Sequence, residues 1–227
     1  MAGEPQQIVI VGASLAGLRA AETLRQEKFT GRIALVSDES AQPYDRPPLS
    51  KKVLSGEWEP DRIRLRKPED LASLDAEWIL GDRAERLDTT ARRVSLASGR
   101  TIDYDGLIIA TGGKVRRLPN QPDWLGIHTL RTLDDSLALR AELRAGRRVV
   151  VIGAGFIGLE VAATARTLGC EVAVLEGAEA PLMRGLGVAM GRLVANIHPE
   201  NGVDLRCGVK VSRLVEGEPG RVGGVEL

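Results

Sequence analysis

The sequence predicts an α/β fold built from two copies of one strand–turn–helix–strand unit, and three observations predict it. First, Ile8-Val-Ile-Val-Gly-Ala-Ser-Leu-Ala-Gly-Leu18 recurs as Val149-Val-Val-Ile-Gly-Ala-Gly-Phe-Ile-Gly-Leu159. Second, in each copy a short continuous apolar run, the pattern of a strand buried on both faces, meets a Gly-rich turn and then an Ala- and Leu-rich helical stretch. Third, each copy returns to another apolar run, Arg32 to Ser37 and Glu171 to Glu176. Parallel strands joined in this way require a right-handed crossover, so both copies are βαβ units.

Between the copies, Glu77 to Leu80, Ala84 to Asp88, Arg93 to Leu96 and Thr101 to Asp103 are short β-like runs separated by turns such as Ala97-Ser-Gly-Arg100. They predict a β-meander packed on the first unit. Leu107 to Ala110 is a further apolar strand ending in Thr111-Gly-Gly113, and Leu133 to Ala145 predicts a helix leading into the second unit. The domain boundary falls near Arg131, giving domains over 1–131 and 132–227. The second continues through Arg192 to Ile197 into a hairpin of Val209 to Leu214 and Val222 to Leu227, turned by Glu216-Gly-Glu-Pro-Gly220.

Bulk composition removes several classes of function. Lys plus Arg and Asp plus Glu each number 31, so the net charge is zero and nothing favours nucleic acid or an acidic membrane surface. Cys170 and Cys207 are far apart, without the spacing of a zinc site or redox dithiol. No apolar run reaches the roughly 18 residues of a membrane span. The start, Met-Ala-Gly-Glu-Pro-Gln-Gln, lacks the pattern of a secretory leader, and a reduced, cytoplasmic compartment is expected.

The second copy carries a complete G-x-G-x-x-G, Gly153, Gly155 and Gly158, between a strand and a helix, with Glu176 ending the next strand. Its three glycines serve the tight turn, the approach of backbone to a pyrophosphate, and close helix–strand packing. The unpaired amides at the helix start then attract the anion. A carboxylate at Glu176 accepts hydrogen bonds from ribose hydroxyls but repels a 2′-phosphate, favouring NADH over NADPH. The first copy reads Gly12-Ala-Ser14-Leu-Ala-Gly17. There a serine replaces the middle glycine, so its Cβ is expected to loosen the closest backbone approach while its hydroxyl can donate to a phosphate. Of the acidic candidates Asp38 and Glu39, Asp38 is nearer the strand end and is assigned the ribose contact.

Between the fingerprints lie Pro43-Tyr-Asp-Arg-Pro-Pro-Leu-Ser-Lys51 and Tyr104-Asp-Gly-Leu-Ile-Ile-Ala-Thr-Gly112, followed by Leu130-Arg-Thr132 and then Gly153 to Glu160. With these in place the chain resembles the FAD-dependent pyridine nucleotide-disulfide oxidoreductase superfamily. Its closest likeness is to the ferredoxin reductase branch that serves bacterial cytochromes P450 and ring-hydroxylating dioxygenases. The resemblance covers essentially all 227 residues. It implies two Rossmann-like FAD/NAD(P)-binding domains of three-layer ββα organisation with β-meanders.

For FAD, the resemblance implies contacts from Gly12, Ser14, Ala16, Gly17, Asp38, Arg46, Lys51, Ala84, Ala110, Thr111, Gly112 and Arg131. For NADH it implies Gly153, Gly155, Phe156, Ile157, Gly158, Glu160 and Glu176, with Arg184 either a further contact or a solvent-facing arginine. The family sets Lys51 beside the flavin ring and pairs it with Glu160. An ammonium there stabilises the charge of reduced flavin while the carboxylate keeps the lysine positioned. Read without the family, Lys51 is a solvated lysine and Glu160 a surface helix residue. Trp58, Trp78 and Trp124 read as packing residues and His128 and His198 as non-catalytic.

The redox cysteine pair that disulfide reductases carry near the first helix is absent from this sequence. Electrons are therefore expected to leave the flavin directly, to a one-electron acceptor such as a [2Fe–2S] ferredoxin. The family pattern also runs on past the second domain, so the chain is expected to be a C-terminally truncated piece of a reductase. Two alternatives stay open: a non-catalytic NAD-binding module, and an NADH oxidase, rubredoxin reductase or nitrite-reductase-like flavoenzyme.

Overall fold

The computed structural model describes residues 5–227. The first four residues, part of the segment read as lacking a leader, lie outside that range. Packing divides the described residues into two compact units, one of 5–45 with 60–114 and the other of 46–59 with 115–227.

In the first unit, β1 (Gln7–Val11) leads through the Gly-rich turn into α1 (Leu15–Gln26) and back to β2 (Arg32–Val36). A short α2 (Pro68–Ala72) precedes β3 (Glu77–Ile79); β4 (Ala84–Asp88), β5 (Arg93–Leu96) and β6 (Thr101–Asp103) follow, then β7 (Gly106–Ile109). The parallel sheet has the order β3-β2-β1-β7, and β4-β5-β6 is a separate antiparallel sheet. The continuous apolar run of β1 follows from this layering, since successive side chains of a strand point to opposite faces. Ile8 and Ile10 join Leu18 and Ala21 of α1, whereas Val9 joins Val94, Leu96 and Ile102 of the meander. This is the expected ββα sandwich. One expectation changes: Glu77–Ile79 pairs parallel with β2 and extends the main sheet, so the meander has three strands. Its residue types give strand propensity but carry no information about the partner.

The second unit comprises α3 (Leu133–Glu142), β8 (Arg148–Ile152), α4 (Phe156–Thr167), β9 (Glu171–Glu176), α5 (Met183–Glu200), β10 (Val203–Cys207), β11 (Arg213–Glu216) and β12 (Val222–Glu226). Thr132 and Asp135 form a capping box at the start of α3. The helix stops short of the expected Ala145 because Leu143 turns extended and is buried in the core. The parallel sheet has the order β10-β9-β8.

This unit has one strand more than the sequence pattern suggests, and two expectations for it are corrected. The alternating run Val203–Cys207 is a half-buried sheet strand paired with β9. The hairpin itself pairs Arg213–Glu216 with Val222–Glu226, with a register shift at Val215/Glu216, and not Val209–Leu214. Finally, β8 is not buried on both faces. Val149 and Val151 pack on the core beneath α4, but Val150 and Ile152 are 43% and 40% exposed, because among the described residues no meander covers that face.

A cut at Arg131 does not describe the packing of Arg46–Glu59. Leu54 is fully buried in the core of the second unit. The 3-10 turn Pro47–Ser50 is held there by the Ser136 hydroxyl, which donates to the Leu49 carbonyl at 2.7 Å, and by Thr164 Oγ1, which donates to the Ser50 carbonyl at 2.8 Å. Hydrogen bonds and burial across a gap of some hundred positions decide which body such a turn joins, and sequence proximity does not.

Both Gly-rich turns show why their outer glycines are required. Gly12 and Gly153 have φ of +116° and +103°, conformations L side chains rarely adopt. A Cβ on Gly17 would lie 1.8 Å from the Gly12 carbonyl oxygen, and one on Gly158 would lie 2.1 Å from that of Gly153. A Cβ on Gly155 meets nothing within 4 Å. Gly158→Ala is therefore expected to lower unfolding stability by about 3 kcal/mol, as other overpacked positions do. Gly155→Ala should cost under about 1 kcal/mol, within the usual cost of alanine at an N-cap. Paired urea titrations followed by circular dichroism measure the difference, and equal costs would contradict it.

Candidate functional site

Residues singled out in the sequence fall into two groups, one in each unit. The first unit holds Gly12, Ser14, Ala16, Gly17, Asp38, Ala84, Ala110, Thr111 and Gly112. The turn after β1 and the end of β7 are brought together, because Ile109 pairs with Val11 and a Cβ on Gly12 would meet the Ala110 carbonyl oxygen at 2.1 Å. Thr111 and Gly112 continue from there as exposed loop. Ala84 begins β4 and packs on the meander core.

Ser14 is the N-cap of α1 in extended conformation, its side chain making no capping bond, and the helix has no acidic residue in its first turn. The first helical bond runs from Leu18 N–H to the Ser14 carbonyl at 2.9 Å. The amides before it point along the axis, and with the helix dipole they make a site for an anion. The corresponding middle position of the second unit, Gly155, faces open space, with nothing within 4 Å of a Cβ built on it.

At the end of β2, Val36 pairs with Val11 as Leu175 pairs with Ile152. Ser37 therefore occupies the position that matches Glu176, and Asp38, exposed, lies one residue further on. Glu39 is engaged instead by the buried Tyr44, whose hydroxyl donates to it. Ser37 and Tyr44 are the residues here that spacing alone did not single out.

The second unit holds Arg46, Lys51, Arg131, Gly153, Gly155, Phe156, Ile157, Gly158, Glu160, Glu176 and Arg184. Gly155 is the N-cap of α4, again with no side-chain cap and no acid in the first turn. Phe156 and Ile157 stand 54% and 51% exposed beside it, and Leu15 at the matching place in the first unit is 51% exposed. Large apolar side chains left open at the mouth of a Gly-rich turn suit a flat, partly apolar ligand.

Glu176 is fixed at the end of β9: one carboxylate oxygen accepts from Ala154 N–H at 2.7 Å, the other from Ala178 N–H at 2.8 Å. Each oxygen keeps a further lone pair for a ribose hydroxyl. Cys207 stands across the strand pair from it; burial pushes its thiol pKa up, and the Glu176 charge adds to the rise. Arg184, in the first turn of α5, is exposed.

Arg46 and Arg131 are joined, because Arg46 Nη1 donates to the Arg131 carbonyl at 2.6 Å, while the Arg131 amide donates to Asp135 of the capping box at 2.8 Å. Lys51 and Glu160 form an ion pair with Nζ to Oε2 of 2.7 Å and side chains 46% and 35% exposed. The Ser50 hydroxyl donates to the same Oε2 at 2.5 Å. Burial works upward on the Glu160 carboxyl, but the bonds from Lys51 and Ser50 and the lysine charge outweigh it and hold the group below the usual range. Trp58, in the same segment, carries the Lys52 ammonium 4.8 Å above its ring, and Trp78 packs in the first unit's core. Among the described residues, no helix is long and apolar enough to cross a membrane.

Comparison with known proteins identifies the family. The family model described as pyridine nucleotide-disulphide oxidoreductase fits residues 6–226. Rhodocoxin reductase of Rhodococcus erythropolis is 40% identical over 222 residues, covering 96% of this chain and 51% of that protein. Putidaredoxin reductase of Pseudomonas putida is 38% identical over 208 residues, covering 90% and 49%. The crystal structure of a covalent putidaredoxin reductase–putidaredoxin complex superposes with a TM-score of 0.90 at 36% identity, over 97% of this chain and 54% of that one. The chain thus spans about half the length of the relatives it matches.

A pH dependence follows from Glu160. Its folded pKa is depressed, so its stabilising contribution is present above the ordinary glutamate value and disappears as pH falls through the lowered folded value. The stability difference between the parent chain and Glu160→Gln is expected to be present at pH 7 and to close at acid pH. Urea midpoints across that range read it, and a difference independent of pH would count against the bonded carboxylate.

Proposed function

The chain belongs to the pyridine nucleotide-disulphide oxidoreductase family, and from that premise we propose that it is the nucleotide-binding part of an FAD-dependent NADH:ferredoxin oxidoreductase. In this reading electrons pass from NADH through FAD to a [2Fe–2S] ferredoxin of a cytochrome P450 or dioxygenase system. The observation that carries it is the pair of uncapped, acid-free helix starts behind Gly-rich turns, one in each unit. The first, in the domain proposed over 1–131, is assigned to FAD. The second, over 132–227, is assigned to NADH. The names of the relatives support the acceptor, since rhodocoxin reductase and putidaredoxin reductase are named for theirs. The two free cysteines, one buried, and the lack of a membrane-spanning helix among the described residues support a cytoplasmic setting.

The donor set fits both groups. Amides at the starts of α1 and α4 bind the two pyrophosphates, the turns ending in Gly17 and Gly158 admit them, and the apolar Leu15, Phe156 and Ile157 cover adjoining surface. Ser14 adds a hydroxyl donor to the first site. Asp38 and Glu176 receive ribose hydroxyls, and a second negative group at Glu176 is repelled, which selects NADH over NADPH. Bound FAD supplies the hydride acceptor and the step from two-electron to one-electron transfer. Lys51 would supply a positive charge to that group, with its ammonium held by Glu160 at 2.7 Å.

Two measurements test the reading. Glu176→Ala should erode the preference for NADH, read as the ratio of dissociation constants for NADH and NADPH, by about tenfold, the scale of one lost charged hydrogen bond. An unchanged ratio would remove Glu176 from the site. Lys51→Met should slow anaerobic bleaching of bound FAD by NADH by about 100- to 1000-fold, the range for one electrostatic contact at a reacting centre. Parent-like bleaching would end the role given to Lys51. A purified chain that binds NADH but stays colourless with added FAD would instead make it a nucleotide-binding module. Steady-state rates with ferredoxin, rubredoxin and oxygen rank the acceptors.

A further inference from the structure

The Lys51–Glu160 pair has a third member. Lys51 is 46% exposed on a flexible four-carbon stem, and such a lysine restrains its partner weakly. Ser50 differs in every respect: it is 4% exposed, its side chain has a single rotatable bond carrying the donor, and its hydroxyl reaches the same Glu160 Oε2 at 2.5 Å. The other acceptor near that hydroxyl, the Pro47 carbonyl, is at 3.5 Å, the limit of a hydrogen bond. Ser50 is itself anchored. Its carbonyl accepts from Thr164 Oγ1 at 2.8 Å, and Thr164 lies one helical turn beyond Glu160 on the same face of α4. The residue before it is tied to α3 by Ser136, which is fully buried. The turn therefore grips α4 at two successive positions and α3 at one.

We propose that Ser50 is a positioning residue for the Lys51–Glu160 pair: its buried hydroxyl fixes the Glu160 carboxylate from within the protein, so that the carboxylate keeps its place and charge while Lys51 is free to move between it and a bound cofactor. This rests on the reading of Lys51 and Glu160 as the pair that faces the flavin. Without Ser50, the carboxylate of a half-exposed glutamate would be located only by the mobile ammonium it is meant to locate. The lowered pKa of Glu160 agrees, with Ser50 as well as Lys51 acting downward on it. Lys51 is the charged group the structure sets against that carboxylate.

The test is a carbon-detected NMR titration of the Glu160 side-chain carboxyl, assigned through Glu160→Gln, in the 227-residue chain. Ser50→Ala is expected to move its midpoint upward, while Ser55→Ala, which removes a hydroxyl bonded only to the Lys52 carbonyl and the Glu57 amide, leaves it in place. A Glu160 midpoint in Ser50→Ala equal to that of the parent chain overturns the proposal. Should Ser50→Ala fail to fold, Lys51→Met decides it, because the ammonium protons are gone and the Ser50 hydroxyl is left as donor. The Glu160 carboxyl carbon should then shift between H2O and D2O, and no isotope shift overturns the proposal. The underlying reading is judged separately, by the pH profile of FAD bleaching by NADH. If Ser50→Ala moves the Glu160 midpoint and leaves that profile unchanged, Ser50 holds Glu160 and it is the flavin-side reading that falls.

Discussion

Everything distinctive about each unit depends on a contact made possible by an absent atom. The third glycine of each Gly-rich turn sits so close to the carbonyl oxygen of the first that a Cβ would fall 1.8 Å away in one unit and 2.1 Å in the other. That approach lets α1 start close to the end of β1, and α4 close to the end of β8, with the helix N-terminus at that end of the sheet. The open amides and the exposed Leu15, Phe156 and Ile157 at the mouth of each turn accompany it. The nucleotide-binding geometry is thus a packing consequence before it is a chemical one.

The two units solve the rest differently. In the first, a three-stranded meander covers the face of the sheet opposite α1, and β1 is buried from both sides. In the second, Val150 and Ile152 remain open on the matching face of β8. The acids also differ. Glu176, at the end of β9, is bonded to the Ala154 amide of the Gly-rich turn, whereas the first unit has Ser37 in that place and Asp38 beyond it. Two copies of one motif therefore differ in the acids beside their Gly-rich turns, one having a bonded carboxylate and the other an exposed one.

The segment Arg46–Glu59 contains Arg46, Ser50 and Lys51, and its order comes from elsewhere. Leu54 anchors it in the second core, Ser136 and Thr164 bond its backbone, and Arg46 ties to the Arg131 carbonyl, next to the capping box of α3. Pro47 and Pro48 pre-set the 3-10 turn that brings Ser50 and Lys51 to one oxygen of Glu160. A site composed of side chains from a turn and a helix gains its precision from backbone bonds of this kind, because long charged side chains supply little of it themselves.

By itself the sequence determined the βαβ repeat, the α/β class, both Gly-rich turns and Glu176 at its strand end. Those features are local: residue types at fixed spacing dictate a turn, a helix start or a buried strand within a few positions. Lys51 and Glu160 were named through family resemblance, and no spacing rule links them. Tertiary structure alone decided that Glu77–Ile79 extends the main sheet, that Val203–Cys207 is a sheet strand, and that Arg46–Glu59 packs with the second unit. It alone set Ser50 against a carboxylate 110 positions away. The physical reason is the same in each case. Strand partners and buried hydrogen bonds are settled by which surfaces meet after the chain has folded, and short-range patterns carry no record of that meeting.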